Sequence, residues 1–154
     1  MMKSIEGNFE HLKVNDLLVK HFKELKSVSP EGSAHVLDIS GLKDPSIKFW
    51  SIWEENTLIG CGALKFLDEN HGEFKSIRVI DDFRKKGYGF KIINHLIEEA
   101  KKLDVKKLSL ETGSGDFFLP ARKLFQKVGF EKCSPFAHYK EDTNSCYMSL
   151  DLKN

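Results

Sequence analysis

The stretch EFKSIRVIDDFRKKGYGFKIINHLIEEAKKL, from Glu73 to Leu103, decides the fold because a strand pattern becomes a helix pattern across two glycines. Apolar and polar side chains roughly alternate from Glu73 to Val79, which predicts a β-strand. From Phe90 onward, apolar residues recur at helical spacing, which predicts an amphipathic helix. Gly87 and Gly89 lie at the point of change. A turn that leads directly into a helix presents backbone N–H groups that have no partner inside the helix.

The flanking sequence extends this pattern into a mixed α/β (α+β) fold. A helix is predicted from Val14 to Ser27, and the runs IKFWSIW and TLIGCGALKF predict an antiparallel hairpin. Downstream, KKLSLET and SCYMSLDL predict strands, and DFFLPARKLFQKVGF predicts a helix with Asp116 as N-cap and Gly129 as terminator. Simple alternation divides the strand before the glycine turn into two faces: Phe74, Ser76 and Arg78 on one, Lys75, Ile77 and Val79 on the other. Residues 1–154 are expected to form a single domain of sheet and helices.

Composition excludes several classes of partner. The 24 Lys and Arg residues nearly balance the 23 Asp and Glu residues, so neither nucleic acid nor an anionic membrane is expected as a partner. No segment reads as a signal peptide or a membrane span. The three cysteines, Cys61, Cys133 and Cys146, favour a reducing compartment, and we expect a cytoplasmic protein. The six histidines form no metal-ligand pattern, so no metal site is expected.

The glycine turn predicts an anion site. Glycine permits positive φ and allows an anion to approach the backbone closely, at the positive end of the helix dipole. Positive charge is added by three adjacent residues: Arg84, Lys85 and Lys86. The nucleotide motif G-x-x-x-x-G-K-[ST] is absent, and Ile92 replaces the third glycine of the dinucleotide motif. The alternative is a tight turn beside a solvated basic surface.

Two motifs carry a family resemblance. RKKGYG resembles the pyrophosphate loop R/Q-x-x-G-x-G/A of the GNAT superfamily of acetyl-CoA-dependent N-acetyltransferases, and PARKLFQKVGF resembles that family's later signature, A-x-x-L-Y-x-K-x-G-F. The segments from His35 to Lys65 and PFAHYKEDTNSCYM resemble a subgroup of small bacterial members. The resemblance implies a mixed, mostly antiparallel sheet with helices on both faces, and acetyl-CoA as cosubstrate.

The resemblance also implies how the cosubstrate is held. Pyrophosphate would bind the backbone amides of one loop: Arg84, Lys85, Lys86, Gly87, Tyr88 and Gly89. The pantetheine arm would lie along the main chain of Ile77 and Val79, and the amide of Val79 would also hold the oxyanion. Lys85, Lys86 and Lys91 are left as alternatives for the 3′-phosphate of CoA.

Direct attack on the thioester requires a neutral amine, whereas an alkylammonium with a pKa of about 10 is protonated at neutral pH. Glu73 is the expected general base, directly or through a water, and a surface carboxylate is the alternative reading. Phe125 occupies the position of the tyrosine that protonates the thiolate in many family members. Tyr139 is a candidate substitute, as are His138 and Tyr147, with packing as the alternative for each. A thiolate of pKa about 8.5 can also leave unassisted.

A small-molecule amine is the expected acceptor, because the chain has no acidic or basic tract. Arg78 is predicted to bind an acceptor carboxylate through its two-pronged guanidinium, unless a surface carboxylate already occupies it. His35 and Asp38 are further candidates, with loop packing as the alternative. The competing class is a non-catalytic CoA-binding module, which the phenylalanine at position 125 favours. A homodimer, and an acyl group other than acetyl, are left open.

Overall fold

The computed structural model describes residues 2–29, 37–84 and 86–152. Its strands are β1 (Met2–Glu6), β2 (Ile47–Glu54), β3 (Thr57–Phe66), β4 (His71–Val79), β5 (Lys107–Gly113), β6 (Glu131–Lys132) and β7 (Ser145–Asp151). Its helices are α1 (Leu12–Val28), α2 (Ile39–Leu42), α3 (Tyr88–Lys102) and α4 (Leu119–Val128). Short 3-10 turns, Asp81–Phe83 and Asp116–Phe118, precede α3 and α4.

The strands form one seven-stranded sheet in the order β1-β2-β3-β4-β5-β7-β6. Neighbouring strands are antiparallel except for β4 and β5, which run parallel. A parallel pair requires a crossover connection, and α3 supplies it between these two strands. The predicted mixed, mostly antiparallel sheet is therefore confirmed.

Helices cover both faces of the sheet, and each face has its own apolar cluster. On one face, residues of α3 and α4 pack on the sheet, as Ile92 and Leu64 illustrate. On the other face, Val14 of α1 and Leu42 of α2 join the sheet residue Phe49. In the ranges that the structure describes, no helix combines the length and the apolar character needed to cross a membrane.

Most predicted elements are present, with α1, the β2–β3 hairpin, β4, α3, β5, α4 and β7 close to their expected positions. Gly129 ends α4 with a φ of 124°, as predicted. The prediction of Asp116 as N-cap is wrong, because Asp116 begins a separate 3-10 turn. The N-cap of α4 is Phe118, which makes no capping hydrogen bond through its side chain, and proline lies in the first turn.

Three short elements were not predicted: β1, α2 and β6. The edge strand β1 pairs with β2 from Met2 opposite Glu54 to Glu6 opposite Trp50. Its five residues carry too few apolar side chains to indicate a strand by themselves, so the pairing with β2 accounts for it. The four-residue α2 begins with the carboxylate of Asp38 accepting the backbone N–H of Gly41.

A bulge in β4 changes which residues share a face. The register leaves two β4 residues, Ser76 and Ile77, opposite the single β3 residue Gly62. Ser76 has a φ of 55°, in the left-handed region that side chains rarely adopt. One extra residue reverses the alternation of a strand. The α3 face therefore receives Phe74, Ile77 and Val79. The predicted grouping of Phe74 with Arg78 is wrong for this reason.

Candidate active site

A cleft opens where the parallel strands β4 and β5 separate. The strands pair from His71 opposite Lys107 to Phe74 opposite Leu110, and no pairing follows beyond that point in the described chain. The cleft has a volume of ≈ 840 Å³ and is also bordered by α1, α3 and α4. Strands that diverge in this way leave main-chain N–H and C=O groups facing the gap, where a ligand can pair with them.

The end of β4 directs two amides towards this gap. The N–H of Ile80 donates to the carbonyl of Ile59 on β3 at 2.9 Å, a normal hydrogen-bond distance for neighbouring strands. Because successive amides of an extended strand point in opposite directions, the N–H of Val79 points away from β3. The N–H of Ile77 has the same direction. The roles predicted for Ile77 and Val79, pairing with pantetheine and holding the oxyanion, stay predictions. The direction of the two N–H groups permits both roles.

The glycine turn forms the N-terminus of α3 at one end of the cleft. Gly87 is the N-cap, with a φ of 82° and no side-chain capping bond. The first bond of the helix joins the N–H of Lys91 to the carbonyl of Gly87. The amides of Tyr88, Gly89 and Phe90 precede it and have no acceptor within the helix. The positive end of a fifteen-residue helix therefore borders the cleft.

Gly87 and Gly89 differ in their backbone conformation and in their surroundings. A Cβ built on Gly89 would lie 2.6 Å from Cδ2 of Leu124 on α4, whereas a Cβ on Gly87 would meet no atom within 4 Å. Gly87 is therefore favoured by its positive φ, whereas a side chain at Gly89 would require the end of the Leu124 side chain to move. The positive φ expected of the turn is found at Gly87, and the prediction that both glycines let an anion approach the backbone stays a prediction.

The charged side chains of the loop differ in their surroundings. The guanidinium of Arg84 lies 3.3 Å from Asp81 and 3.6 Å from Glu24, and its backbone N–H donates to the carbonyl of Asp81. Lys86 is exposed, and Lys85 lies outside the described residues. The Tyr88 hydroxyl donates to Glu54 at 2.7 Å, which raises the pKa of this phenol. Since the Arg84 amide is already paired, the predicted anion binding would depend on the amides nearer the helix.

Glu73, Lys75 and Tyr139 form a buried polar network, although they come from β4 and from the loop before β7. The Tyr139 hydroxyl donates to Oε2 of Glu73 at 2.6 Å, and the Lys75 ammonium donates to the same oxygen at 3.2 Å and to the Tyr139 hydroxyl at 3.1 Å. The side chains of Lys75 and Glu73 are only 10% and 3% exposed. Burial and the Glu73 carboxylate raise the pKa of Tyr139 well above its ordinary value. The alternative reading of Glu73 as a surface carboxylate is therefore wrong.

Arg78 is buried and already holds carboxylates. Its two terminal nitrogens donate to the two oxygens of Glu24 at 2.8 and 3.3 Å, and one of them also contacts Asp81 at 3.4 Å. The hydrogen bond from Arg78 is the main cause that lowers the pKa of Glu24. Binding of an acceptor by Arg78 stays a prediction. The two terminal nitrogens of its guanidinium are already hydrogen-bonded to Glu24. Asp38 serves as the cap of α2, and His35 lies outside the described residues.

Phe125 lies in the wall of the cleft and in the core at once. It is 8% exposed and packs edge-to-face on Phe130, with ring centroids 5.4 Å apart. Among the suggested substitutes for the missing phenol, His138 is exposed and stacks on Tyr139, whereas the hydroxyl of Tyr147 donates to the carbonyl of Lys140. Of these side chains, Tyr139 is the one that contacts Glu73 directly.

The predictions about metal ions and an acyl-cysteine can be compared with the described residues. No group of three His, Cys, Asp or Glu side chains able to hold a metal ion occurs in residues 2–29, 37–84 and 86–152. Burial raises the pKa of Cys61 to about 12, and its thiol donates to the carbonyl of Ser76 at 3.3 Å. A thiol that stays protonated is a poor nucleophile, so this cysteine does not support an acyl-cysteine route.

Sequence reasoning missed two residues that line the cleft. Lys75 lines the cleft but was given no role. It lies two positions after Glu73, and residues two positions apart in a strand have their side chains on the same face. His21 lies on the buried face of α1 and is 6% exposed. Burial, followed by the positive charge of Arg78, lowers the pKa of His21 to about 4. No local pattern distinguishes His21, because its surroundings come from β4.

Comparison with known proteins agrees with this geometry. A profile of the Acetyltransferase (GNAT) family matches residues 13–130. The chain is 45% identical over 150 residues to the uncharacterised N-acetyltransferase YsnE of Bacillus subtilis (strain 168), covering 92% of this chain and 99% of YsnE. It is 39% identical over 142 residues to the uncharacterised N-acetyltransferase YedL of Escherichia coli (strain K12), covering 92% and 89% of the two chains.

A solved structure shows the same fold with a ligand. The fold is similar to that of a Bacillus subtilis acetyltransferase in complex with CoA, with a TM-score of 0.74 and 20% identity over 99% of this chain and 100% of the other. At this level of identity the similarity concerns the fold alone. The resemblance that the two sequence motifs carry is thus confirmed by independent comparison of the sequence and of the fold.

Proposed function

The chain belongs to the GNAT family of acetyltransferases, and we propose that it transfers the acetyl group of acetyl-CoA to a small-molecule amine by direct attack in a ternary complex. The observation that carries this proposal is one continuous cleft. The cleft joins the N-terminus of α3, the diverging strands β4 and β5, and the buried carboxylate of Glu73. These are the parts needed to hold a phosphorylated cosubstrate, to polarise a thioester and to accept a proton.

The cosubstrate would lie with its pyrophosphate on the α3 N-terminus. The amides of Tyr88, Gly89 and Phe90 would donate to phosphate oxygens, and the helix dipole and Arg84 would add positive potential. The pantetheine arm, which has alternating amide groups, would then pair with the open edge of β4 along Ile77 and Val79. This arrangement places the thioester in the gap between β4 and β5.

The reaction begins when the amine loses a proton to Glu73, directly or through one water. The neutral nitrogen attacks the thioester carbon, the C–N bond forms, and the carbonyl oxygen becomes an oxyanion that accepts the Val79 amide. Collapse of this intermediate breaks the C–S bond and releases CoA thiolate. The bonded nitrogen, which is positively charged after the attack, loses its second proton to the departing thiolate or to solvent, and Glu73 returns its own proton to solvent. The thiolate can leave as the anion, since a thiol of pKa about 8.5 is a good leaving group.

Lys75 and Tyr139 would act as positioning residues for the base. Both donate to Oε2 of Glu73, which fixes the carboxylate and leaves the lone pairs of Oε1 for a substrate or a water. The ammonium of Lys75 also places a positive charge 3.2 Å from a carboxylate that is almost fully buried. Because its pKa is raised, Tyr139 stays protonated at neutral pH and keeps donating to Glu73.

A non-catalytic CoA-binding module is the second candidate. The specific observation in its favour is Phe125, whose ring lies in the cleft wall at the position that corresponds to the tyrosine of the GNAT signature motif. The buried network around Glu73 favours the enzyme, because ionisable groups are costly to bury and a module that only binds CoA would gain nothing from them.

Thiol release distinguishes the two candidates. The protein is incubated with acetyl-CoA and a panel of small amines and amino acids, and free CoA is followed with a thiol reagent while acetyl-CoA binding is measured by calorimetry. Amine-dependent thiol release supports the proposal. Binding without release for every acceptor supports the module, absence of binding removes both, and acetylation of histone-like peptides alone contradicts a small-molecule acceptor.

A cytoplasmic location is part of the proposal, and a separate observation supports it. Cys61, Cys133 and Cys146 are all free thiols. Free cysteines persist in a reducing environment, which supports the cytoplasm as the location of the protein.

A further inference from the structure

Lys75 is an amine that belongs to the protein itself and lies inside the candidate active site. Its side chain is 10% exposed and lines the cleft. Its ammonium donates to Oε2 of Glu73 at 3.2 Å and to the hydroxyl of Tyr139 at 3.1 Å. Glu73 is also the expected general base. Lys75 therefore already makes the contact that the ammonium of an external acceptor would make before it loses its proton.

Lys75 lies at the point where β4 leaves β5. The last paired residues of these two strands are Phe74 and Leu110, so Lys75 is the first residue of β4 beyond the pairing. In the proposed function, the pantetheine arm runs along Ile77 and Val79, and the thioester lies in the gap that begins here. The lysine stem has four carbons and is flexible. The amine of Lys75 and the thioester would therefore share one end of the cleft.

The other basic side chains of the cleft do not combine an amine with a base. Arg78 and Arg84 carry guanidinium groups, which stay protonated in proteins and are not nucleophiles. Among the described residues, the lysines that line the cleft are Lys75 and Lys127. The ammonium of Lys127 lies 4.9 Å from the centre of the Phe90 ring, at the start of α3. Of these two lysines, Lys75 is the one with a carboxylate at hydrogen-bond distance.

We propose that Lys75 is a self-acetylation site, at which the protein transfers the acetyl group of bound acetyl-CoA to its own lysine. The inference rests on the proposed function, because it uses the same cosubstrate and the same base. The Lys75 ammonium gives one proton to Glu73, and the neutral nitrogen attacks the thioester carbon to form the C–N bond. The C–S bond breaks, and CoA leaves as the thiolate. The nitrogen then loses its second proton to the thiolate or to solvent, which leaves an uncharged N-acetyl-lysine, and Glu73 returns its proton to solvent.

The geometry favours the proton transfer and slows the attack. The proton transfer needs no rearrangement, because the ammonium and the carboxylate are already hydrogen-bonded at 3.2 Å. The attack requires the nitrogen to release Glu73 and Tyr139 and to turn towards the gap. Hydrogen bonds to charged groups are the strong ones, so their release is costly. We therefore expect a slow reaction that happens once in each chain and then stops.

The test incubates the wild-type protein with acetyl-CoA and no amine, and locates acetyl groups by peptide mass spectrometry over time. Lys102, whose side chain is 73% exposed, serves as the internal control for unassisted chemical acetylation. Lys75 is expected to be acetylated well before Lys102, despite its burial. Excess free CoA, which would occupy the same cleft, is expected to protect Lys75 and to leave Lys102 unaffected. Equal rates at the two lysines, or no protection by CoA, overturn the inference.

Dilution and a base variant test whether the acetyl group comes from the chain's own cleft. The fraction of Lys75 acetylated at a given time should not depend on protein concentration, and a rate that rises with concentration overturns the inference. Glu73→Gln is expected to slow acetylation of Lys75 by about a hundredfold, the contribution of a general base. Glu98→Gln, whose side chain is 64% exposed, should leave the rate unchanged. If Glu73→Gln does not fold, CoA protection and dilution of the wild type decide the question.

The outcomes separate this inference from the proposed function. Amine-dependent thiol release without an acetyl group on Lys75 overturns the inference and leaves the proposed function standing. Acetylation of Lys75 with no thiol release for any amine of the panel supports the inference and contradicts transfer to a small amine. If calorimetry finds no binding of acetyl-CoA and Lys75 stays unmodified, both proposals fail.

Discussion

Replacement of Glu73 by glutamine tests the proposed chemistry most directly. Glutamine keeps the shape of the side chain and can still accept the hydroxyl of Tyr139, which lies 2.6 Å away, but it cannot take a proton from an amine. A general base contributes about a hundredfold to ten-thousandfold to rate. We therefore expect kcat at pH 7 to fall by about a hundredfold or more in Glu73→Gln, with free CoA as the readout.

The loss should diminish as the pH rises. For an amine of pKa about 10, roughly one molecule in a thousand is neutral at pH 7 and roughly one in ten at pH 9. Attack by the already neutral fraction needs no base, so the difference between wild type and variant should shrink by about a hundredfold over this range. A kcat that is equal in wild type and Glu73→Gln from pH 7 to 9, together with loss of transfer in Tyr139→Phe or His138→Ala, would refute the assignment and place the chemistry in the loop before β7.

The loss of activity in Glu73→Gln must be distinguished from a loss of stability. The side chain of Lys75 is 10% exposed, and Glu73→Gln leaves its ammonium buried without a carboxylate at 3.2 Å. Breaking a buried pair in this way costs about 3–5 kcal/mol of the free energy of unfolding. The double variant Glu73→Gln with Lys75→Met should recover much of that stability in urea titrations and none of the activity. Glu98→Gln, whose side chain is 64% exposed, is the matched control for both measurements.

Further predictions concern the loop, the missing phenol and the buried histidine. Gly87→Ala, at a φ of 82°, should displace the start of α3 and weaken acetyl-CoA binding in calorimetry by about tenfold, and unchanged affinity would remove the loop assignment. Phe125→Tyr should leave kcat unchanged or raise it modestly, and a rise of a hundredfold would show that protonation of the thiolate limits the rate. The pKa of His21 is lowered from 6.5 to about 4, so its neutral form is favoured by folding. Stability from this group is complete above pH 6.5 and declines by up to about 3 kcal/mol towards pH 4, and a urea titration of His21→Phe should show a smaller decline over this window.

The order of elements could be read from the sequence because local patterns specify it. The stripe of α3, the hairpin of β2 and β3 and the turn at Gly87 each depend on residues adjacent in the chain. The edge strand β1 could not be read in this way, because its five residues become a strand by pairing with β2. Asp116 was misassigned for a related reason: a 3-10 turn and an α-helix begin with similar residues, and packing decides which one forms.

The candidate site was predicted in part. The loop and the carboxylate of Glu73 were identified from motif and strand position, and Tyr139 was named as a substitute acid. That Tyr139 donates to Glu73 was not predicted, because 66 residues separate them in the chain. Arg78 was expected to present its fork to an acceptor, and Glu24 of α1 occupies that fork at 2.8 Å. The two residues come together only when α1 packs on the sheet.

The sequence by itself determined the strand, turn and helix that make up the proposed CoA-binding loop, because backbone conformation at Gly87 and the apolar stripe of α3 are local properties. The tertiary structure alone decided the bulge at Ser76, the packing of Leu124 against Gly89 and the surroundings of His21 and Lys75. A bulge is a mismatch between two strands, and the close approach at Gly89 is a property of two helices. The ionisation of a buried group depends on the burial and the charges that distant segments bring to it, and these exist only in the folded chain.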